Sequence, residues 1–248
     1  MIRFATYNAH DCIGRDGIYD PVRIANIVAA IDGDVVALQE VTLDHAGDVL
    51  TTLENATGMQ AVDGTLFDRG VGRYGNVLLT RHAVIEQRLH DLPFAGREPR
   101  GMVDATIEID GKPCWIAATH LGLNTAERRQ QIERVATLLA DAELPAVLMG
   151  DFNVWWGSKA LAPLFDIGFR HRPVRSFPTW WMPLLPLDRV FVRGFPESPC
   201  HWRYDEPPTS RASDHFPVVV DVDAVKPRRI WILDGHLGDS GGNGSRPR

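Results

Sequence analysis

Hydrophobic and polar residues alternate near the start of the chain, over residues 2–8, and this two-residue period predicts a β-strand. Asp20-Pro21 predicts the start of a helix, because proline is favoured at the first helical position. The predicted helix has one apolar face, since its hydrophobic residues recur at helical spacing, and Gly33 is predicted to end it. The residues of that face are Ile24, Ala25, Val28 and Ile31.

The rest of the pattern predicts further strands and two more helices. Asp110-Gly111 is a strong turn signal and predicts a hairpin between the strands that flank it. Asn124 and Glu127 have the spacing of a capping box at a helix start. The helix after them has the apolar face Ile132, Val135, Ala136 and Leu139, and another helix is predicted over 46–57. The predicted strands are 34–40, 75–80, 83–91, 101–109, 113–119, 145–151, 187–193 and 215–222.

The composition is that of an ordinary globular protein, with 44% hydrophobic and 23% charged residues in a chain of 248. The mixture of strands and helices predicts an α/β or α+β fold with a mixed sheet. No linker divides residues 1–225, so we predict one domain there. Residues 226–248 are rich in glycine, serine and basic residues, which predicts a flexible C-terminal tail.

Charge and cysteine content narrow the expected surroundings of the protein. The three cysteines are Cys12, Cys114 and Cys200; their odd number and wide spacing argue against a disulfide framework and a zinc–thiolate site. The chain has no signal-peptide pattern and no run of ~20 apolar residues, so we expect a cytoplasmic protein without a transmembrane segment. The net charge of −6 argues against a broad electrostatic clamp on nucleic acid, but is compatible with a local basic patch.

Polar residues with ligating or acid–base chemistry stand at six predicted strand ends. Each has a structural explanation when taken alone: a turn, a cap, a surface charge or a buried histidine. Gly-Asp-Phe-Asn, for example, fits a simple Asx-turn. Together they favour one shared site, because functional residues collect in the loops at one edge of a sheet. They are Asn8, Glu40, His120, Asp151 with Asn153, Asp188, and Asp214-His215.

The residue types in this set suit phosphate chemistry at a divalent cation. Asn8, Glu40 and Asp214 offer the hard oxygen ligands that Mg²⁺ or Mn²⁺ prefers. A phosphoester is the natural substrate, because the cation offsets charge on the phosphoryl oxygens. Asp188 is suited to orient His215 by accepting a ring N–H.

Two further residues complete the expected chemistry. Asp151 is suited to align or deprotonate an attacking water, and Asn153 to donate to a phosphoryl oxygen.

A serine triad is excluded, because Ser213 and its two candidate partners are consecutive and adjacent side chains of an extended strand point to opposite faces. The chain has no nucleophile elbow, phosphate-binding loop or dinucleotide fingerprint.

Seven short motifs follow one another along the chain: Thr6-Tyr7-Asn8, Leu38-Gln39-Glu40, Gly75 to Thr80, Thr119-His120-Leu121, Gly150 to Asn153, Leu187 to Phe191 and Ser213 to Pro217. In this order they resemble the endonuclease/exonuclease/phosphatase superfamily. That group includes DNase I-like nucleases, abasic-site endonucleases, sphingomyelinases and inositol phosphatases. Each motif is weak alone, but the ordered set is specific and covers about residues 1–223.

The resemblance implies a four-layer sandwich, in which helices flank two packed, mostly antiparallel β-sheets, and a metal-dependent phosphoesterase. By motif, Asn8, Glu40 and Asp214 match metal-site positions, and Asp151 with Asn153 matches the pair that handles the nucleophile and the phosphoryl oxygen. The remaining matches are His215 with Asp188 as a histidine–aspartate dyad, His120 as a second histidine, and Asn76 as a phosphate-side residue. The family also has an arginine before the strand at 101–109; Arg97 and Arg100 both qualify, and we favour Arg100 because it directly precedes that strand.

The sequence does not identify the substrate class. The chain lacks the basic insertions of abasic-site endonucleases, the extra signature of inositol polyphosphate phosphatases and the secretory cysteines of DNase I, and residues 8–17 look like a small bacterial branch. His10 is either close to the metal or an ordinary loop histidine. Nucleic acid, lipid and small phosphoesters stay candidate substrates, and a non-catalytic binding module is the alternative outside the enzymes.

The tryptophan pairs Trp155-Trp156 and Trp180-Trp181 are candidates for peripheral contact with a membrane or with a base. Core packing is the expected role of at least one tryptophan in each pair. An exposed apolar patch without surplus positive charge favours lipid or apolar phosphoesters.

Overall fold

The computed structural model describes residues 1–44, 49–141, 143–155, 158–195 and 199–223. The predicted tail at 226–248, the start of the helix predicted over 46–57, and Trp156 lie outside these residues. The strands are β1 Ile2–Asn8, β2 Val35–Asp44, β3 Gln60–Asp68, β4 Gly72–Thr80, β5 Val84–Asp91, β6 Gly101–Ile109, β7 Lys112–His120, β8 Ala146–Asp151, β9 Asp188–Arg193, β10 Cys200–Arg203 and β11 Val218–Val222. The α-helices are α1 Pro21–Ile31, α2 Val49–Thr57, α3 Thr125–Leu139, α4 Ala162–Asp166 and α5 Thr209–Ala212.

The strands form two mixed sheets. One has six strands in the order β10-β11-β1-β2-β4-β3, and the other has five in the order β5-β6-β7-β8-β9. Within the described strands, β1 with β2 and β7 with β8 are parallel neighbours, and the other pairs are antiparallel. The prediction of mixed, mostly antiparallel sheets is confirmed.

Four layers account for the burial of both faces of each sheet. Alternate side chains such as Phe4 and Ile116 form a cluster between the sheets. The intervening residues face outward and pack under helices, with α1 and α2 covering the six-stranded sheet and α3 and α4 covering the other. Because both faces are covered, the central strands have continuous apolar runs. The predicted four-layer sandwich is confirmed.

Helix α1 forms as its sequence predicts, apart from its end. The Asp20 carboxylate accepts a hydrogen bond from the backbone N–H of Arg23, and Pro21 is the first helical residue. The four residues of the predicted apolar face are buried. The residue with left-handed backbone at the end of the helix is Asp32, at φ +54°, rather than Gly33. Aspartate tolerates that conformation better than most residues with side chains.

The capping box predicted for α3 forms in part. The Asn124 side chain accepts hydrogen bonds from the backbone N–H groups of Ala126 and Glu127. The buried Glu127 carboxylate instead accepts from the Gln131 amide, at 3.3 Å. The predicted apolar face of α3 is buried against the five-stranded sheet.

Several strand boundaries differ from the prediction. Strand β2 continues past Glu40 to Asp44 through a bulge, and β11 begins at Val218 rather than at 215. Strands β3 and β10 were not predicted. Both are edge strands with a weak hydrophobic alternation, and their pairing is decided by the neighbouring strand.

Gly150 allows strands β7 and β8 to approach closely near the end of β8. Its φ is +147°, and a Cβ atom there would lie 1.8 Å from the carbonyl oxygen of Thr119. Only glycine fits this position, because any side chain collides with the neighbouring strand. The following residue, Asp151, is thereby set directly beside His120.

The cysteines and the helices relate to the expectations about disulfides and membrane crossing. Cys12, Cys114 and Cys200 are free thiols. Among the described residues, helices fall short of the length and apolar character that a membrane crossing requires.

Candidate active site

The predicted site residues lie at one end of both sheets, where the parallel strand pairs finish. In the five-stranded sheet, the register sets His120 of β7 opposite Asp151 of β8, and Asp151 opposite Asp188 of β9. In the six-stranded sheet, Asn8 is the last residue of β1. Since parallel neighbours end at the same edge, residues distant in sequence meet here.

Asn8 links the two sheets by hydrogen bonds. Its Nδ2 donates to Glu40 Oε1 at 2.8 Å and to Asp151 Oδ2 at 3.2 Å. Its Oδ1 accepts from the backbone N–H of His10 at 3.0 Å. The amide nitrogen of Asn8, rather than the oxygen expected of a metal ligand, therefore faces the carboxylates in this structure.

Glu40 lies in a β-bulge, and the expectation that it closes its strand is wrong. The pairing of β2 with β4 shifts between Leu38 and Val41, and Glu40 has left-handed backbone at φ +54°. Bulges bend a strand and re-aim a side chain, and they are frequent beside active sites. Glu40 Oε1 lies 3.9 Å from His120 Nε2.

Asp151 uses its two oxygens for different purposes. Oδ1 accepts the backbone N–H of Asn153 at 2.9 Å, which is the Asx-turn considered for Gly-Asp-Phe-Asn taken alone, and Asn153 has left-handed backbone at φ +52°. Oδ2 faces the site, 3.7 Å from His120 Nε2 and 3.8 Å from His215 Nε2. Burial and the nearby charge of Asp188 raise the pKa of Asp151 to about 7.

His215 and Asp188 form a buried pair. His215 Nδ1 lies 2.7 Å from Asp188 Oδ2, and the ring of Phe177 packs on the imidazole at 4.8 Å. Burial lowers the pKa of His215, but the charge and hydrogen bond of Asp188, with further help from Asp151, outweigh it and raise the pKa to about 10. Ser213, which was not expected to contribute, accepts the backbone N–H of His215 and donates to the carbonyl oxygen of Asn8.

His120 is buried between the guanidinium of Arg100 and the amide of Asn153. Arg100 Nη1 lies 3.5 Å from its Nδ1, and Asn153 Nδ2 lies 3.2 Å from its Nε2. Burial, and next the charge of Arg100, lower the pKa of His120 well below the ordinary value for histidine. A neutral imidazole therefore stands on this side of the site, opposite the His215 imidazole.

The other predicted residues lie at the margin. Asp214 Oδ1 is 4.0 Å from His215 Nε2, so Asp214 flanks the site. Asn76 is buried and donates to the carbonyl oxygen of Gly101 at 3.4 Å; its described contacts do not reach the carboxylates. Of the two candidate arginines, Arg100 reaches His120, whereas Arg97 is exposed in the preceding loop.

Sequence reasoning missed a second arginine near the site. The guanidinium carbon of Arg69, in the connection between β3 and β4, lies 3.2 Å from the centre of the Tyr74 ring. Arg69 also pairs with Glu98, which bonds Arg100 in turn. No motif marks Arg69, because its place depends on strand β3, which the sequence pattern does not reveal.

The donor set fits a hard divalent cation. Glu40 and Asp214 are 25% and 31% exposed, so they are open to a cation that retains several waters. Asp151 and Asp188 are buried, and Asp188 Oδ1 accepts no hydrogen bond from the described residues. Ligating atoms of Asp151, Asp188 and His215 lie within 4.8 Å of one another. The site therefore concentrates carboxylate oxygens, some of which accept no hydrogen bond from the described residues. Such a group of oxygens is compatible with bound Mg²⁺ or Mn²⁺.

A loop beside His215 exposes large apolar side chains. Trp180 and Trp181 are 61% and 62% exposed, so core packing is the wrong expectation for this pair. The loop is tied to the site, because Thr179 donates through its backbone N–H and its hydroxyl to the carbonyl oxygens of Asp214 and Ser213. Trp155 is also exposed.

Comparisons with known proteins relate the chain to one family. The profile of the endonuclease/exonuclease/phosphatase family matches residues 5–215. The uncharacterized protein YbhP of Escherichia coli (strain K12) is 30% identical over 229 residues, which cover 80% of this chain and 87% of YbhP.

Solved structures share the fold. The endonuclease/exonuclease/phosphatase of Beutenbergia cavernae superposes with a TM-score of 0.74 at 22% identity, over 88% of this chain and 70% of that one. The mannosyl-6-phosphatase Bt3783 of Bacteroides thetaiotaomicron has a TM-score of 0.69 at 18% identity, over 90% of this chain and 100% of its own. The chain belongs to the endonuclease/exonuclease/phosphatase family.

Proposed function

We propose that this protein is a divalent-cation-dependent phosphoesterase, in which water attacks the phosphorus of a phosphomonoester or phosphodiester. The observation that carries the proposal is the position of Asp151 Oδ2, within 4 Å of both His120 Nε2 and His215 Nε2 and hydrogen-bonded to Asn8. A carboxylate, two imidazoles and an amide around one point supply the acid–base and hydrogen-bonding groups that phosphoester hydrolysis needs.

The Asp188–His215 pair holds positive charge where negative charge develops on the phosphoryl oxygens. Asp188 binds Nδ1, so Nε2 of His215 points toward Asp151 and Asp214. In this orientation Nε2–H is free to donate to a phosphoryl oxygen. Preorganised donors of this kind are effective because they need no rearrangement as the reaction proceeds.

Asp151 and Asn153 are the residues placed to handle the nucleophile. Asp151 Oδ2 is the central acceptor of the cluster and is suited to align the attacking water and take its proton. Asn153 is held by its bond to the carbonyl oxygen of Leu121, at 2.9 Å, and presents its amide to the side of His120. The neutral ring of His120 lies beside the Asn153 amide and helps to hold it in place.

Glu40 would hold Mg²⁺ or Mn²⁺, with Asp214 as the other proposed ligand. When bound, the cation supplies Lewis-acid stabilisation of charge on the phosphoryl group. Asn8 keeps the Glu40 and Asp151 carboxylates together through its two hydrogen bonds.

A panel of phosphoesters tests the proposal. An aryl phosphodiester, a sugar phosphate, a phospholipid and a nucleic acid are assayed with Mg²⁺, with Mn²⁺ and with EDTA. A sugar phosphate belongs in the panel because of the fold shared with Bt3783. We expect cation-dependent hydrolysis of at least one class, abolished by EDTA. Failure across the panel with both cations would support a non-catalytic binding module instead.

The exposed Trp180-Trp181 loop favours a lipid phosphoester as the second candidate substrate. Both indole side chains are exposed, and the preceding residue, Thr179, bonds the backbone of Ser213, two residues before the proposed catalytic His215; exposed indoles suit the membrane interface. We expect wild type to bind zwitterionic phosphatidylcholine vesicles in a sedimentation assay and Trp180→Ala/Trp181→Ala to lose that binding. Equal sedimentation of both proteins would remove the lipid candidate.

A further inference from the structure

Two arginines on separate connections meet at the rim of the site and share one carboxylate. Arg69 Nη2 lies 3.1 Å from Glu98 Oε2, and Arg100 Nη1 lies 2.9 Å from Glu98 Oε1. The Glu98 carboxylate thus lies between two guanidinium groups in the way a bound oxyanion would. Arginine is well suited to such pairing, since its planar fork binds carboxylate and phosphate alike.

The arginines are anchored more firmly than the carboxylate. The guanidinium of Arg69 stacks on the buried Tyr74 ring and also lies 3.8 Å from Asp11. Arg100 is mostly buried, and its carbonyl oxygen accepts the backbone N–H of Leu92, which fixes the base of the β5–β6 connection.

Glu98, in contrast, extends from that connection and is 40% exposed. A half-exposed glutamate is easily displaced, because its ion pairs compete with water.

The arginine pair is directed toward the catalytic cluster. Arg100 contacts His120, and the charge of Arg69 also acts on the His120 ring. Tyr74, on which Arg69 stacks, is in turn affected by the charge of Glu40. An anion bound by the two arginines would therefore lie beside the phosphoryl site.

We infer that Arg69 and Arg100 form an anion subsite, which Glu98 fills in the absence of substrate, and that it binds a second negatively charged group, a phosphate, on the substrate. This inference rests on the proposed hydrolase function and narrows its substrate class to small phosphoesters with an additional phosphate. Binding exchanges the Glu98 carboxylate for that phosphate, so both arginines stay paired in the free and bound states.

Binding of inorganic phosphate in EDTA tests the subsite apart from the cation site. Isothermal titration calorimetry compares wild type with Arg69→Gln and Glu98→Gln. We expect Arg69→Gln to weaken binding about ten-fold, the effect of losing a charged hydrogen bond. Glu98→Gln is expected to tighten it, because the competing carboxylate is removed. Arg88→Gln is the matched control, since Arg88 forms an exposed pair with Glu86 on β5 and is expected to bind as wild type does.

Hydrolysis provides a second measurement. The ratio of kcat/KM for 1,3-propanediol bisphosphate to that for its monophosphate is expected to exceed one in wild type and to fall about ten-fold in Arg69→Gln. Arg69→Lys is expected to recover part of the ratio, which a purely structural role would not predict. Thermal unfolding of each variant checks that the fold is retained.

The possible results separate the two proposals. Phosphate binding that follows the expected order without hydrolysis of any ester overturns the hydrolase and keeps the subsite. Hydrolysis with an unchanged ratio and unchanged phosphate binding in Arg69→Gln overturns the subsite alone. Weaker binding in Glu98→Gln overturns the placement of Glu98 as a substitute anion. Phosphate binding weakened equally by Arg88→Gln, or seen only at molar concentration, shows an adventitious ion only and also overturns the subsite.

Discussion

The Nδ1 atom of His215 lies 2.7 Å from an oxygen of Asp188, and both side chains are buried. The residues are 27 positions apart in the chain and meet because Asp188 begins β9 while His215 precedes β11. In a buried setting the carboxylate both orients the ring and stabilises its protonated form. This pair is therefore the most direct point at which to test the proposed chemistry.

Asp188→Asn removes the charge that keeps His215 protonated. Burial then dominates, so the pKa of His215 should fall from its raised position and the ring should be neutral at pH 8. An NMR titration of the histidine ring protons measures this directly, and cation-dependent hydrolysis should fall at least ~100-fold. Asp104→Asn is the matched control, because Asp104 forms a similar but only partly buried pair with His90 on neighbouring strands. A His215 titration unchanged in Asp188→Asn would contradict the electrostatic account.

Glu40→Ala should remove cation binding. In wild type, a cation at ~100 times its dissociation constant is expected to raise the free energy of unfolding by about 2.7 kcal/mol. Thermal unfolding with and without Mn²⁺ measures this gain, which Glu40→Ala should lose along with at least ~100-fold in hydrolysis. Glu86→Ala, an exposed glutamate on β5, should keep both. Full stabilisation by Mn²⁺ in Glu40→Ala would place the cation elsewhere.

Gly150→Ala should destabilise the fold and disturb the site together. The added Cβ would lie 1.8 Å from the Thr119 carbonyl oxygen, and the backbone must move to relieve this clash. We expect a loss of at least ~2 kcal/mol in urea unfolding. Gly58→Ala is the control, since Gly58 also has a positive φ but no atom within 4 Å of its Cβ position. Similar losses for the two variants would show that the clash is relieved at little cost.

His171 should make the protein sensitive to acid. Burial first, and then the charge of Arg189, lower the pKa of His171 to about 4, while the unfolded chain titrates near 6.5. Between these values the unfolded state binds a proton that the folded state does not, so stability falls as the pH drops from 6.5 to 4.

His171→Phe should abolish this part of the pH dependence, on the order of 2 kcal/mol, because phenylalanine can keep the contacts with the rings of Phe165 and Phe191. Urea unfolding at pH 7.5 and pH 4.5 gives the comparison, and the stability difference between the two proteins should change with pH. A constant difference would show that His171 is not the responsible group.

The polar strand ends were predictable because the strands themselves have strong local signals. Short apolar runs precede Asn8, His120 and Asp151. Each run thus ends in a polar residue, which is costly to bury in a strand unless it has hydrogen-bonding or ionic partners. The bulge at Glu40 was not predictable. Its apolar run looks like a strand that stops, and only pairing with β4 shows that the strand continues to Asp44.

Arg69 shows why part of the site escaped prediction. Its neighbours in sequence form an ordinary polar connection, and nothing local distinguishes it from other exposed arginines. Its contacts with Tyr74 and Glu98 depend on how β3, β4 and the β5–β6 connection come together. Interactions of this kind are set by packing between segments, which local patterns do not report.

The sequence by itself determined the mixture of strands and helices, the order of the motifs and the residue types of the candidate site, because burial periodicity and strand-end polarity are local properties; the four-layer arrangement was implied by the family that those motifs resemble. Only the tertiary structure decided which atoms face one another: the amide nitrogen of Asn8 toward the two carboxylates, Asp188 on the Nδ1 side of His215, and Glu98 between two arginines. The physical reason is that pairing energies act over a few ångströms, and those distances exist only once strands remote in sequence have packed.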